Sequence, residues 1–326
     1  MKTLNVCPSL LSEGYHTYSP LALRRLFNGK QVSHLLSFSL KTEEKNSYKP
    51  LYSLSISGYQ RKFLMTLENT TLRITQKGEQ STYILKPISE MPKNEAFAPA
   101  NEHLTMQIAQ QVFGIETAEN ALIFFADGTP AYITKRFDIA PNGEKYAVED
   151  FASLLGKTVQ THGTDYKYTG TYLDLFNILK KNVAAWQVES LKLFTLIVFN
   201  YLFSNGDAHL KNFSLIQSPQ GDFRLSPAYD LLNTAIHIED HPFALKSGLL
   251  PSPFNQQKIR EQFLLLGKEV GLPEKLITKT LTLLTSQTDK VITLIQRSFL
   301  PEKLQRNYLQ TYQRKIKKLA ITIDIS

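Results

Sequence analysis

The sequence predicts an α+β protein of two lobes, a β-rich lobe over residues 1–138 and a helical lobe over residues 139–326. Three observations predict it. Short runs rich in β-branched and aromatic residues, separated by turn signals, crowd the first part of the chain. From Asp150 onward apolar residues recur at helical spacing instead. The length, 326 residues, exceeds one ordinary domain and suits two lobes of about 130 to 190 residues.

The expected strands are Tyr52–Ser57, Lys62–Leu67, Thr71–Thr75, Ser81–Leu85, Ala121–Phe125 and Pro130–Thr134. Turn signals at Lys77-Gly78-Glu79, Asp127-Gly128-Thr129 and Pro141-Asn142-Gly143 separate several of them. One helix is expected in the first lobe, about Ala100–Phe113, stopped by Gly114. In the second lobe the expected helices are Phe151–Leu155, Tyr172–Leu179, Ser190–Phe203, Gln256–Leu266, Pro273–Leu284 and Val291–Arg297. A hinge between the lobes is expected near Lys135–Asp138, with a cleft beside it.

A hydrophobic content of 42% with 11% aromatics is ample for a buried core and excludes global disorder. The single cysteine, Cys7, excludes an intrachain disulfide and a cysteine metal cluster, and fits a reducing compartment. The first residues lack the apolar run of a signal peptide. Leu193–Phe203 is about half the length that crosses a bilayer. A cytoplasmic protein with no membrane partner is expected. The formal charge of +8 suits either an acidic partner or a well-solvated surface. The surface reading is favoured, because the densest basic stretch, Lys303–Lys318, alternates with apolar residues at helical spacing.

Candidate chemistry is concentrated after the most apolar run. Ser204-Asn205-Gly206-Asp207-Ala208-His209-Leu210-Lys211-Asn212 sets an Asp and an Asn five positions apart, the spacing of the catalytic loop of protein kinases. Asp230 follows as a second carboxylate able to hold metal, and Lys86 precedes at the end of a strand. Phosphoryl transfer needs positioning and charge neutralisation more than covalent work. Asp207 is therefore the candidate to orient and deprotonate the attacking hydroxyl, while Asn212 and Asp230 offer hard oxygens to Mg2+. Lys86 is the candidate for the α- and β-phosphates of ATP, clamped by Glu102 or, as the alternative, Glu95. Lys211 sits where a cation offsets γ-phosphate charge. His209 either shares in the chemistry or hydrogen-bonds the loop as a core residue. His237 and His241, spaced as on one helix face, lack a third ligand and are not expected to hold a metal.

These segments together resemble the HipA-type serine/threonine kinases, toxins of bacterial toxin-antitoxin modules, and within them the short form HipT. The resemblance lies in Ser55-Ile56-Ser57-Gly58-Tyr59-Gln60-Arg61-Lys62-Phe63, Ile84-Leu85-Lys86-Pro87, Asn101-Glu102, Lys135-Arg136-Phe137-Asp138, Asp207–Ser214 and Tyr229-Asp230, in family order. Leu26-Phe27-Asn28-Gly29 resembles the segment that follows a separate N-terminal subdomain in long HipA proteins, which has no room here. The resemblance implies a two-lobed protein-kinase-like fold binding ATP and Mg2+ in the cleft. It implies nucleotide contacts from Ser57, Gly58, Lys86, Glu102, Lys135 and Phe137, and autophosphorylation of the phosphate loop at Ser55, with Ser57 a second hydroxyl. That loop carries one glycine, where ordinary kinases carry three. The implied partners are a HipS-like small protein docking on the N-lobe and a HipB-like helix-turn-helix antitoxin tethering the complex to operator DNA. The implied substrate is an aminoacyl-tRNA synthetase, whose phosphorylation stops translation. Two competing readings are a small-molecule phosphotransferase and a catalytically inactive subunit. The second is disfavoured because Lys86, Asp207, Asn212 and Asp230 are all in place.

Overall fold

The structure, a computed structural model, describes residues 4–40, 51–55, 58–140 and 142–320, with 51–55 and 58–59 described as backbone. Its fold is α+β and two-lobed. The β-rich lobe is an antiparallel sheet of β1 (Leu51–Ser55), β2 (Gly58–Glu68), β3 (Thr71–Ile74), β4 (Tyr83–Lys86), β5 (Asn120–Phe124) and β6 (Pro130–Lys135). The order is β1-β2-β4-β6-β5, with β3 paired to β2.

Register decides which side chains see which face. Phe63 pairs with Leu85, and Leu85 with Ile133, so these three lie in one row. Together with Met65, Ala121 and Ile123 they bury against helix α1 (Pro20–Phe27). Side chains alternate along a strand, so Lys62 and Lys86 take the opposite face. Extending the Phe63↔Leu85 register by one residue sets Lys62 across from Lys86.

Helix α2 (Ala98–Phe113) lies on that second face and is buried along most of its length. It ends at Gly114, whose left-handed backbone (φ 66°) returns its N–H to Ala109 and Gln110 carbonyls. The sequence predicts α2 as the one helix of the first lobe. The structure adds α1, started by Ser19, whose hydroxyl accepts from Ala22 N–H, with Pro20 in the first turn.

The helical lobe contains α3 (Phe151–Leu154), α4 (Val159–His162), α5 (Leu173–Asn182), α6 (Trp186–Leu202), α7 (Ile259–Glu269), α8 (Glu274–Ser286), α9 (Thr288–Arg297) and α10 (Glu302–Leu319). At its centre α6 stacks Phe199 on Phe203 at 4.4 Å, and Phe203 on Tyr312 of α10 at 4.6 Å. Phe113 of α2 meets both phenylalanines edge-on at 5.8 Å, so one core runs from α2 into the helical lobe. A second small sheet, β7 (Val148–Asp150), β8 (Ser214–Gln217) and β9 (Phe223–Leu225), was not expected. Strands of three or four residues are too short for alternation to register in a sequence. The basic stretch 303–318 lies within α10, but Lys315 is not on an exposed face: it is buried and paired with Asp240 at 3.2 Å. Among the described residues no helix is long and apolar enough to cross a membrane.

Candidate active site

The site is assembled where the second face of the sheet meets α2 and the turns after α6. Lys86 ends β4 beside Tyr132, and its Nζ lies 2.6 Å from Oε1 of Glu102 on α2. Both are buried, so each charge needs a partner. Nζ also donates to Oδ1 of Asp230. Burial alone would lower the Lys86 pKa, but Asp230 and Glu102 outweigh it and hold the ammonium charged well above its ordinary range. Burial would likewise raise Asp230, yet the adjacent Lys86 and Lys62 hold its carboxyl well below the usual range. Glu102 moves up: burial disfavours its charge more than Lys86 restores it.

Asp230 occupies the left-handed region at φ 59°, uncommon for a residue with a Cβ. Its flanks hold it there. Ala228 N–H donates to Glu116 O and its carbonyl accepts from Ala118 N–H, while the Tyr229 hydroxyl donates to Lys211 O. Asn212 Nδ2 then donates to Asp230 Oδ2 at 2.9 Å.

The loop carrying Asp207 leaves α6 through Ser204, also left-handed at φ 53°. Gly206 packs closely: a Cβ there would lie 3.0 Å from His241 O and 3.1 Å from Thr234 Oγ1, so those neighbours would have to give by a few tenths of an ångström. Asp207 Oδ1 accepts from the Tyr168 hydroxyl at 2.9 Å. His209 N–H donates to Asn212 Oδ1 at 3.0 Å, closing the turn. Burial pushes the His209 imidazole down to about 4, so it is neutral at physiological pH and serves the loop as an uncharged ring.

Of the residues singled out in the sequence, Lys86, Glu102, Asn212 and Asp230 meet directly, and Asp207 and His209 lie on the loop between α6 and Asn212. Lys211 points to Asp150, 3.1 Å away. Lys135 is not brought to the cluster, since its Nζ donates to Asn28 at the end of α1. Phe137 packs on the Tyr229 ring at 5.7 Å. Glu95 is exposed and takes no part. Gly58 opens β2, Ser55 closes β1 with only its backbone described, and Ser57 lies outside the described residues.

Two further cations, Lys62 and Lys167, lie close enough to the cluster to feel Asp230, and no motif in the sequence marks them as site residues. Burial lowers Lys62, the added repulsion of Lys86 reinforcing it, and Asp230 and Glu102 pull the other way. Lys167 is lowered by burial and feels Asp207 and Asp230. The strand parity of Lys62 with Lys86 was available in the sequence, but only once the register was known. A cavity of about 510 Å³ lies elsewhere, between α2, α6 and α8, lined by Phe113, Leu191, Leu196 and Leu283. It is mainly apolar and holds none of the acid, base or metal-ligand candidates.

A buried lysine paired with a helix carboxylate, facing an Asp and an Asn from separate turns beneath a sheet, defines a kinase-like protein. The HipA-like C-terminal domain profile matches residues 54–292. The chain belongs to that family. A Haemophilus influenzae relative named "Putative kinase" is 26% identical over 96% of this chain and 97% of its own. Sinorhizobium fredii "Putative kinase Y4mE" is 29% identical over 73% of this chain, which spans only 56% of that relative. Among solved structures, the Shewanella oneidensis MR-1 toxin-antitoxin complex of HipA, HipB and operator DNA aligns with TM-score 0.62 at 20% identity, over 83% of this chain and 66% of that one. The Helicobacter pylori proinflammatory kinase CtkA aligns with TM-score 0.51 at 12% identity, over 79% of this chain and 90% of that one. At these identities the two structures speak for the fold.

Proposed function

We propose that this protein is an ATP- and magnesium-dependent serine/threonine kinase acting as the toxin of a toxin-antitoxin module. The observation that carries the reading is the buried Lys86–Glu102 pair meeting Asp230 and Asn212, with Asp207 on the adjoining loop. Lys86 and Lys62, on one face of the sheet, would bind triphosphate oxygens. Asp207 would orient the acceptor hydroxyl and take its proton as the γ-phosphoryl moves in line. The donor set fits a magnesium ion. Asp230 is held ionised, Asn212 is within hydrogen-bond reach of it, and magnesium asks the protein for only one or two carboxylates besides phosphates and water. When bound, the ion would neutralise phosphate charge.

In this reading residues 1–138 and 139–326 are the two lobes, with the nucleotide between them. Ser55 and Ser57 are autophosphorylation sites whose added charge would oppose ATP. A HipS-like protein would dock on the β-rich lobe, and a HipB-like antitoxin would bring the complex to operator DNA. The target would be an aminoacyl-tRNA synthetase in the cytoplasm. The HipA, HipB and operator DNA assembly of the Shewanella protein supports the antitoxin and DNA partners.

The test uses Asp207→Gln and Asp230→Asn. Both variants should lose transfer of radiolabel from ATP to protein, and Asp230→Asn should also weaken magnesium-dependent nucleotide binding. Transfer retained by both would remove the kinase assignment.

A further inference from the structure

The segment between α4 and α5 runs alongside the Asp207 loop and sends two tyrosines into it. Tyr168 and Tyr172, four residues apart, are 5% and 2% exposed. Tyr168 donates its hydroxyl to Asp207 Oδ1 at 2.9 Å, and Tyr172 donates to the next residue's carbonyl, Ala208 O, at 2.7 Å. Consecutive loop residues are therefore held by one neighbouring segment, one by side chain and one by backbone.

That segment is itself anchored. Tyr168 N–H donates to Asp165 O and its carbonyl accepts from Lys246 N–H, each at 2.9 Å. Tyr172 N–H donates to Gly248 O at 3.0 Å. The Tyr168 ring stands edge-on to His209 at 5.2 Å, with Lys167 Nζ 5.0 Å from its own centre. With its ring enclosed and both backbone groups bonded, the Tyr168 hydroxyl is a fixed post.

A carboxylate turns easily about its terminal torsion. A general base must nevertheless present a chosen oxygen to its proton, and misplacement by about 1 Å costs on the order of a hundredfold. We infer that Tyr168 is a positioning residue for Asp207, fixing the rotation of its carboxylate through the bond to Oδ1. This rests on the assignment of Asp207 as the base. Its tyrosyl oxygen is not an acceptor in waiting, because the residue would have to leave a site that closes on it from both sides of the chain.

Tyr168→Phe keeps the aromatic ring beside His209 and removes the hydroxyl that bonds Asp207 Oδ1. Phosphate transfer from ATP to casein and to the protein itself should fall about tenfold to a hundredfold in kcat. KM for ATP should stay within about twofold and the thermal midpoint close to wild type. In an Asp207→Asn background the same substitution should cost nothing further in the residual transfer that remains without the base, read by long incubation with radiolabelled ATP, since Tyr168 acts through Asp207. Replacing Tyr168 with 4-fluorophenylalanine, which fills the hydroxyl's volume without donating, should reproduce the loss and serves if the Phe variant is unstable. Wild-type kcat in these variants, or the same factor lost in both backgrounds, overturns the inference while leaving the kinase reading intact. A wild-type protein that transfers no phosphate to either acceptor removes both.

Discussion

Lys86 collects the electrostatics of the site, with two carboxylates on one ammonium. Its two partners differ in what their loss exposes. Glu102→Gln still leaves Lys86 paired with Asp230, so we expect it to destabilise by about 1–3 kcal/mol. Lys86→Met leaves the buried Glu102 carboxyl and the half-buried Asp230 carboxyl close together without the ammonium they share, and about 3–5 kcal/mol should be lost. Urea denaturation of the two variants compares them, and an equal or larger loss in Glu102→Gln would contradict the ranking. Lys86, Asp207, Asn212 and Asp230 were legible in the sequence because spacing and chain order mark them. Tyr168 was not, because a tyrosine 39 residues from its partner belongs to no pattern until the chain folds. Glu102 was legible only as the better of two choices, and burial separates it from the exposed Glu95.

Among the elements, α2 determines where Glu102 stands, and polar groups tie that helix to the helical lobe. Asn101 donates to Asn233 O at 2.8 Å and accepts from Asn233 N–H at 3.1 Å. It also lies 2.9 Å from Nε2 of His237, whose Nδ1 reaches Lys93 O at 2.9 Å. Thr105 meets the Tyr308 hydroxyl of α10 at 2.8 Å. These bonds hold the helix against the segment after Asp230 and against α10. Asn101→Leu would strand buried groups on both sides, so a loss on the order of 3 kcal/mol in urea denaturation is expected. ATP affinity should fall as well, measured by titration calorimetry. Unchanged affinity would mean that Glu102 is positioned without this tie. The histidines at 237 and 241 looked like neighbours on a helix, but the short 3-10 turn Thr234–Ile236 ends just before them. Composition cannot distinguish a metal ligand from a buried imidazole bonded at both nitrogens. Helix α1 carries a signal readable in the sequence, Ser19-Pro20 before a stretch rich in leucine.

At the scale of the whole molecule, α2 joins the sheet to the helical core, and the buried histidines make the assembly sensitive to acid. His103, against Ser9 O, is pushed down to about 4 by burial, as is His209, and His237 is lowered for the same reason. Unfolded, each would take a proton near its ordinary value of about 6.5. For His103 and His209 the unfolded chain binds more protons between that value and about 4, and His237 acts in the same direction, so stability is full above about 6.5 and drains as pH falls. Glu102 runs the opposite way, because its folded value is raised and protonation there favours the folded state as pH drops. One histidine is thereby offset. Of His103 and His209 one group's share remains, a slope of up to about 1.4 kcal/mol per pH unit, and the lowered His237 adds to it in the same direction. The window above about 4.5 separates this effect from most unfolded-state carboxylates. Urea denaturation at pH 7.5, 6.0 and 5.0 should show stability falling between the last two, and His103→Gln should flatten the dependence by roughly one group's share. Stability that stays level from pH 7.5 to 5.0 would show that the buried rings find protons in the folded state as readily as in the unfolded one.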